Sequence, residues 1–231
     1  DSEIQVQKTF REPGEREVFY SVSETEDLEH ATYLSLNTSA GNELSPKEYI
    51  AFQVLEYVLL DAPGAPLKKA LLDAGIGDDI MGGYENGILQ PYFSVIAKNA
   101  EREQKGEFLA VVKGTLRKLA LSGLNEKSLR AGINYYEFQY READFGSAPK
   151  GLMYGLQCLD SWLYGGDPMM HLEYEETFAA LKKGVEEGYF EGLISKYLLD
   201  NPYESVVIAS PKRNLAAEAE ARTAKELQAY K

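Results

Sequence analysis

Two stretches near the start of the chain, 17–23 (EVFYSVS) and 31–39 (ATYLSLNTS), alternate or cluster β-formers. They predict two strands separated by the polar turn SETEDLEH. Ser45-Pro46 then opens a helix, with Ser at the N-cap, Pro at the first helical position and Glu48 in the first turn. Tyr49, Phe52, Leu55, Val58 and Leu59 form an apolar stripe along it, and Ala62-Pro63-Gly64 ends it. A short helix over 66–74, closed by Gly75, leads to a second strand pair at 79–86 and 91–99, with Phe93, Val95 and Ala97 on one face. From there the periodicity is helical: 105–122, closed by Gly123, then 125 to about 143, 149 to about 163, 173–187 and 189–199. Asn201-Pro202 turns the chain into a last strand, 205–210 (SVVIAS), before a terminal helix over 214–231. Strand pairs joined by tight turns predict an α+β fold, an antiparallel sheet with helices packed mainly on one face. The last strand needs the earlier sheet as a partner, so 1–210 reads as a single module.

Composition and charge narrow the partners. With 231 residues, 44% of them hydrophobic, the chain can build its own core. Lys+Arg 24 against Asp+Glu 37 leaves a net charge of −13. Such a surface repels phosphate backbones and anionic lipid, and suits a cationic or amphipathic partner such as a basic peptide. The longest apolar run, 108–112, is far short of the roughly 20 residues a membrane-spanning helix needs. Nothing after Asp1-Ser2-Glu3 resembles a signal peptide. Cys158 alone cannot form an internal disulfide, which makes a reducing compartment the default. The terminal helix runs to Tyr230-Lys231 without a Gly or Pro stop, the pattern expected of a chain cut from something longer.

No catalytic constellation emerges. The helical zinc motifs H-x-x-E-H and H-E-x-x-H need two histidines one turn apart, and this chain has only His30 and His171. A zinc site assembled at long range from His171, Glu175 and other carboxylates is the remaining metal reading. The plainer one makes His171 a polar residue at a loop-to-helix junction and sets His30 beside a strand. Cys158 lies in the apolar pattern GLMYGLQCLDSWL without a basic neighbour, and reads as a buried structural cysteine. The serines show no G-x-S-x-G elbow. Glu137, Glu142 and Asp144, or Glu173, Glu175 and Glu176, are the carboxylate groups a glycosidase would need. Against that, Glu137 and Arg141 stand at i,i+4 on a solvated helix face, and the second group sits in a helix's first turn. Tyr135, Tyr136 and Tyr140 fall at helical spacing and read as core or interface. Gly82-Gly83-Tyr84-Glu85-Asn86-Gly87 lacks the Lys of a phosphate loop, and Gly165-Gly166-Asp167-Pro168 reads as a helix stop.

Other residues carry a family resemblance. Leu163-Tyr164-Gly165-Gly166-Asp167-Pro168 follows Ser161-Trp162; Gly188-Tyr189-Phe190-Glu191, Leu193-Ile194 and Leu198-Leu199-Asp200-Asn201-Pro202 come after it. With Pro63-Gly64-Ala65-Pro66-Leu67, Gly75-Ile76-Gly77 and Glu137-Phe138, Arg141-Glu142, the chain resembles the presequence-protease branch of the insulinase/pitrilysin-type zinc metallopeptidases. The resemblance covers nearly the whole chain from about Glu17 onward. One departure is Tyr203, where the resemblance leads one to expect histidine after Asn-Pro.

That resemblance implies one of four homologous α+β (metallopeptidase-like α/β roll) modules, whose halves close around a chamber for unfolded peptides. Zinc belongs to the first module's H-x-x-E-H. This chain lacks the motif, so it is similar to the inactive second module rather than the first or last, with 211–231 starting the connecting helix. The implied role is non-catalytic: chamber wall and support for the catalytic module, with no cofactor in this chain and zinc in the parent enzyme. No catalytic or metal-binding residue is assigned, and substrate-binding residues stay open. The expected partners are other modules of the same polypeptide, or a homologous zinc-bearing subunit, and unfolded peptides. The expected compartment is the cytoplasm, with the mitochondrial matrix as the alternative. A free-standing inactive subunit that scaffolds a zinc-bearing one, and an independent carboxylate enzyme, are the competing readings.

Overall fold

Five strands and eight α-helices make up the described part of the chain, residues 4–6, 12–143 and 145–229 of a computed structural model. The helix α1 (Pro46–Glu56) starts as its sequence dictates: Pro46 fills the first position and the Ser45 side chain accepts from the Glu48 N–H at 3.4 Å. It runs directly into a wider π-helical turn, Tyr57–Asp61. Ile50, Ala51, Phe52, Val54, Leu55, Val58, Leu59 and Leu60 are all buried, so the expected stripe is too narrow a description. Apolar residues surround this helix because it lies inside the core, with the sheet on one side and other helices on the other.

The sheet carries the order β1-β5-β2-β4-β3. Strands β2 (Thr32–Ser39), β4 (Tyr92–Ala100) and β3 (Asp79–Glu85) pair antiparallel, with Leu36 opposite Val95 and Gly83 opposite Ser94. Strand β5 (Glu204–Arg213) pairs antiparallel with β2 and parallel with β1 (Gly14–Val22). The last strand therefore joins the earlier sheet as its sequence predicts. The first two strands, expected to pair across a tight turn, do not. β5 inserts between them, because its Val206 and Ile208 extend the buried face of Leu34 and Leu36, whereas β1 is exposed along most of its length. Inward residues Leu34, Leu36, Val95, Ala97, Ile80 and Ile208 alternate with outward ones, the mark of a sheet covered on one face.

The covering layer consists of α1, α2 (Pro66–Asp73), α3 (Lys105–Ser122), α4 (Glu126–Glu142), α6 (Glu175–Gly184) and α7 (Tyr189–Leu193), which continues as a π-helical turn, Ile194–Leu199. Their buried anchors are Leu67, Leu71, Phe108, Val112, Leu116, Ile133, Phe178, Phe190 and Leu198. α5 (Lys150–Trp162) differs, since Ser161 is its one buried residue. Cys158 on that helix is consequently half-buried rather than buried, a correction to the reading of its apolar surroundings. α8 (Leu215–Ala229) is exposed along nearly all its length and touches β1; Tyr230 and Lys231 lie outside the described residues.

Gly82 in β3 is required by packing. A Cβ there would collide with the Ser94 carbonyl oxygen and stand 2.5 Å from Leu60 Cδ1, whereas one on Gly83 meets nothing within 4 Å. Gly82→Ala is expected to cost about 2 kcal/mol and Gly83→Ala close to nothing, as read by urea unfolding of the two variants.

Candidate functional site

The chain's most unusual chemistry is a buried polar cluster beside α1. Glu43 sits in the turn before that helix, where the Asn42 side chain accepts from the Leu44 N–H at 2.9 Å and the Asn42 carbonyl accepts from the Ser45 N–H at 2.9 Å. This tight turn hides Glu43 completely, at 0% exposure. His171, 3% exposed, arrives from the loop after α5. That loop is held by Ser161 Oγ donating to the Asp167 carbonyl at 2.6 Å and Gln157 Nε2 donating to the His171 carbonyl at 3.1 Å. Tyr49 of α1 stacks on the imidazole with centroids 3.9 Å apart, and its hydroxyl donates to Asp160 Oδ2 at 3.0 Å.

Glu43 Oε1 and His171 Nε2 stand 3.7 Å apart, too far for a hydrogen bond. Neither side chain makes a hydrogen bond of good geometry among the described residues, although the Glu43 backbone lies close enough to the imidazole to oppose part of the effect of burial. Burial pushes the Glu43 carboxyl up to about 9, reinforced by the charges of Asp160 and Glu85. Burial also pushes the imidazole below its ordinary range. At neutral pH the two groups therefore face each other uncharged. Both side chains are closed off from solvent.

The sequence candidates are scattered. His171 meets Glu43, a residue inside a polar loop motif (GNELSP) that nothing local marks as buried. It does not meet Glu175, which lies exposed in the first turn of α6 with Glu176. The reading of His171 as a simple junction residue is thus too mild. His30 does precede a strand, exposed, with Nδ1 2.6 Å from Glu101. Glu137 pairs with Arg141 at 2.8 Å as its spacing predicts, and also binds Lys182 at 2.5 Å across to α6. Asp144 lies outside the described residues. Tyr136 and Tyr140 pack against the core while Tyr135, 46% exposed, stacks on Tyr57. Gly165 takes a left-handed φ of +80° just after α5, which suits a helix stop.

No group of three His, Cys, Asp or Glu side chains among the described residues is placed to hold a metal ion. The residues do not fit zinc, because His171 has one carboxylate beside it and His30 another. After exposure to zinc and mild chelation, the purified chain is expected to be metal-free by native mass spectrometry. One tightly held zinc per chain would contradict this assignment.

A cavity of about 570 Å³ opens beside the cluster, between α4, α5 and the segment 172–174. Tyr49 and Asp160 are shared by cluster and cavity.

The family described as "Peptidase M16 inactive domain" matches residues 3–136. The chain is 42% identical over its full length to the protein HypA of Clostridium perfringens, covering 24% of that protein. It is 32% identical to presequence protease 1 of Arabidopsis thaliana, over 95% of this chain and 21% of that one. The chain thus spans about a fifth to a quarter of the length of these relatives. The peptidase M16 inactive domain from Pseudomonas fluorescens shares the fold with a TM-score of 0.60 at 15% identity, covering 91% of this chain and 46% of that one.

Proposed function

Because the chain belongs to the peptidase M16 inactive-domain family, we propose that it is the non-catalytic second module of a zinc metalloendopeptidase that degrades unfolded peptides. Its work is to form part of the chamber wall and to support the module that carries zinc. The observation that carries this reading is the match of the whole chain to about a quarter of a longer relative, joined to a family of inactive domains. Presequence protease 1, one of the relatives, is named as a protease of presequences.

Two features of the surface support it. Leu152, Trp162 and Leu163, on and just after α5, are 57%, 64% and 51% exposed. They supply the apolar area that contact with a neighbouring module would cover. The net charge of −13 favours basic peptides over nucleic acid or anionic lipid. In this reading α8 and the residues around it, 211–231, lead toward the next module. Zinc resides in the catalytic module of the parent protein. Cys158, with no second cysteine in this sequence to pair with, suits a reducing compartment, the cytoplasm or alternatively the mitochondrial matrix. No helix among the described residues is long and apolar enough to cross a membrane.

Mixing the purified chain with the zinc-bearing part of its parent tests the reading, with cleavage of an unstructured peptide as the readout. Neither component alone is expected to cleave, and the mixture is. Turnover by this chain alone would make it an independent enzyme, and cleavage indifferent to its addition would remove the supporting role.

A further inference from the structure

The cavity beside Asp160 has the makings of a specific site. Its walls include two edge-to-face aromatic pairs, Phe145 with Tyr154 at 5.6 Å and Tyr140 with Tyr174 at 5.3 Å, so the rings hold one another in place. Tyr49, 5% exposed, lines it together with the half-buried Asp160. Among the described residues, Asp160 accepts from Tyr49, and the charge that acts on it is another carboxylate, Glu85, rather than a cation. A carboxylate has about four acceptor sites, so most of its capacity is free. Burial raises its pKa, as it does for a carboxyl group that lacks a counter-charge. Arg141 also lines the cavity, but its guanidinium is 2.8 Å from Glu137 and thereby engaged. Glu43, uncharged at neutral pH, adds no competing claim on a cation.

We propose that this cavity is a subsite for one arginine side chain of an unfolded peptide, its guanidinium bound by Asp160 and stacked between the aromatic walls. A planar, weakly hydrated guanidinium matches both elements: bidentate hydrogen bonding to a carboxylate and face contact with tyrosine rings. A volume of about 570 Å³ admits the side chain with a short length of backbone. The subsite rests on the reading that this module meets unfolded peptides, and adds to it a residue preference.

The test is calorimetric titration of the full chain with an alanine-rich peptide carrying a single arginine, against the same peptide with citrulline, which keeps the shape and removes the charge. The arginine peptide is expected to bind at least about tenfold more tightly, a gap worth about 1.4 kcal/mol. Asp160→Asn is expected to erase that preference while leaving the citrulline peptide unchanged. Tyr154→Ala, at a position 38% exposed, weakens the arginine peptide without touching Asp160 and guards against a variant that misfolds. Equal binding of the two peptides, no binding of the arginine peptide, or an arginine preference that survives Asp160→Asn would each overturn the subsite. Those results leave the cleavage test of the mixed components unaffected. Selective arginine binding with no part in that cleavage would instead keep the subsite and remove the chamber role.

Discussion

Glu43→Gln is expected to stabilise the chain by about 3 kcal/mol at pH 7 and to change almost nothing at pH 4. The wild-type carboxyl is held up to about 9 by burial, while an unfolded chain releases its proton at an ordinary carboxyl pKa near 4.5. Between those two values the native state binds the extra proton, so wild-type stability falls as pH rises, by about 1.4 kcal/mol per unit. Glutamine keeps the shape and has no proton to lose, which removes that slope. Glu56, raised to about 7 by burial, contributes the same acid-side slope to both proteins and cancels in the difference. His171, pushed down by burial, acts in the opposite direction below its ordinary range, again in both. Urea unfolding of the two proteins between pH 4 and pH 8 reads the gap directly. A variant less stable than wild type at pH 8 would mean that Glu43 and His171 form a charged pair, since a buried ion pair loses several kcal/mol when one partner is removed.

Phe52→Ala is expected to lower stability by about 4 kcal/mol, among the larger costs a single truncation can impose. Its ring is completely buried, stacked on Tyr84 with centroids 5.0 Å apart and set edge-on to Tyr197 at 5.5 Å. It also packs under the turn that holds Glu43, because a Cβ on Gly41 would lie 3.1 Å from Phe52 Cδ2. For a chain of this size the loss corresponds to about 12 °C in Tm. Phe52→Leu keeps most of the apolar volume and should cost about a third as much. The two changes also connect: a cavity at Phe52 loosens the turn above it, lets water reach Glu43, and flattens the pH slope described above. A Phe52→Ala loss under about 1 kcal/mol would place α1 at the margin of the core instead of its centre.

The local elements were legible because each has a local cause. Ser45-Pro46 starts α1, Asn125 caps α4 by accepting from the Ser128 N–H at 3.0 Å, and Gly123 ends α3. α3 spans Lys105–Ser122, the same residues its periodicity indicates. β3 and β4 pair as their alternation suggests. The order of strands was not legible, because pairing of β1 with β5 joins positions almost two hundred residues apart and depends on which strands bury both edges. Apolar pattern also misled at α5, whose sequence reads as core while Leu152 and Leu156 face outward. A stripe shows that a helix seeks apolar cover, and it does not show whether that cover comes from the same chain.

What the sequence determined by itself was the set of helices and strands, the α+β class, the absence of a helical two-histidine zinc motif and the family resemblance. Capping, turn chemistry, periodicity and motif spacing act within a few residues, so they can be read along the chain. The tertiary structure alone decided that the Glu43 and His171 side chains meet in the core 3.7 Å apart, and that Tyr49, Asp160 and four other aromatic rings share one cavity. Those residues come from four separate segments of the chain. Their pKa values and their fit to a cation depend on burial and on neighbours brought together by folding, which no local pattern specifies.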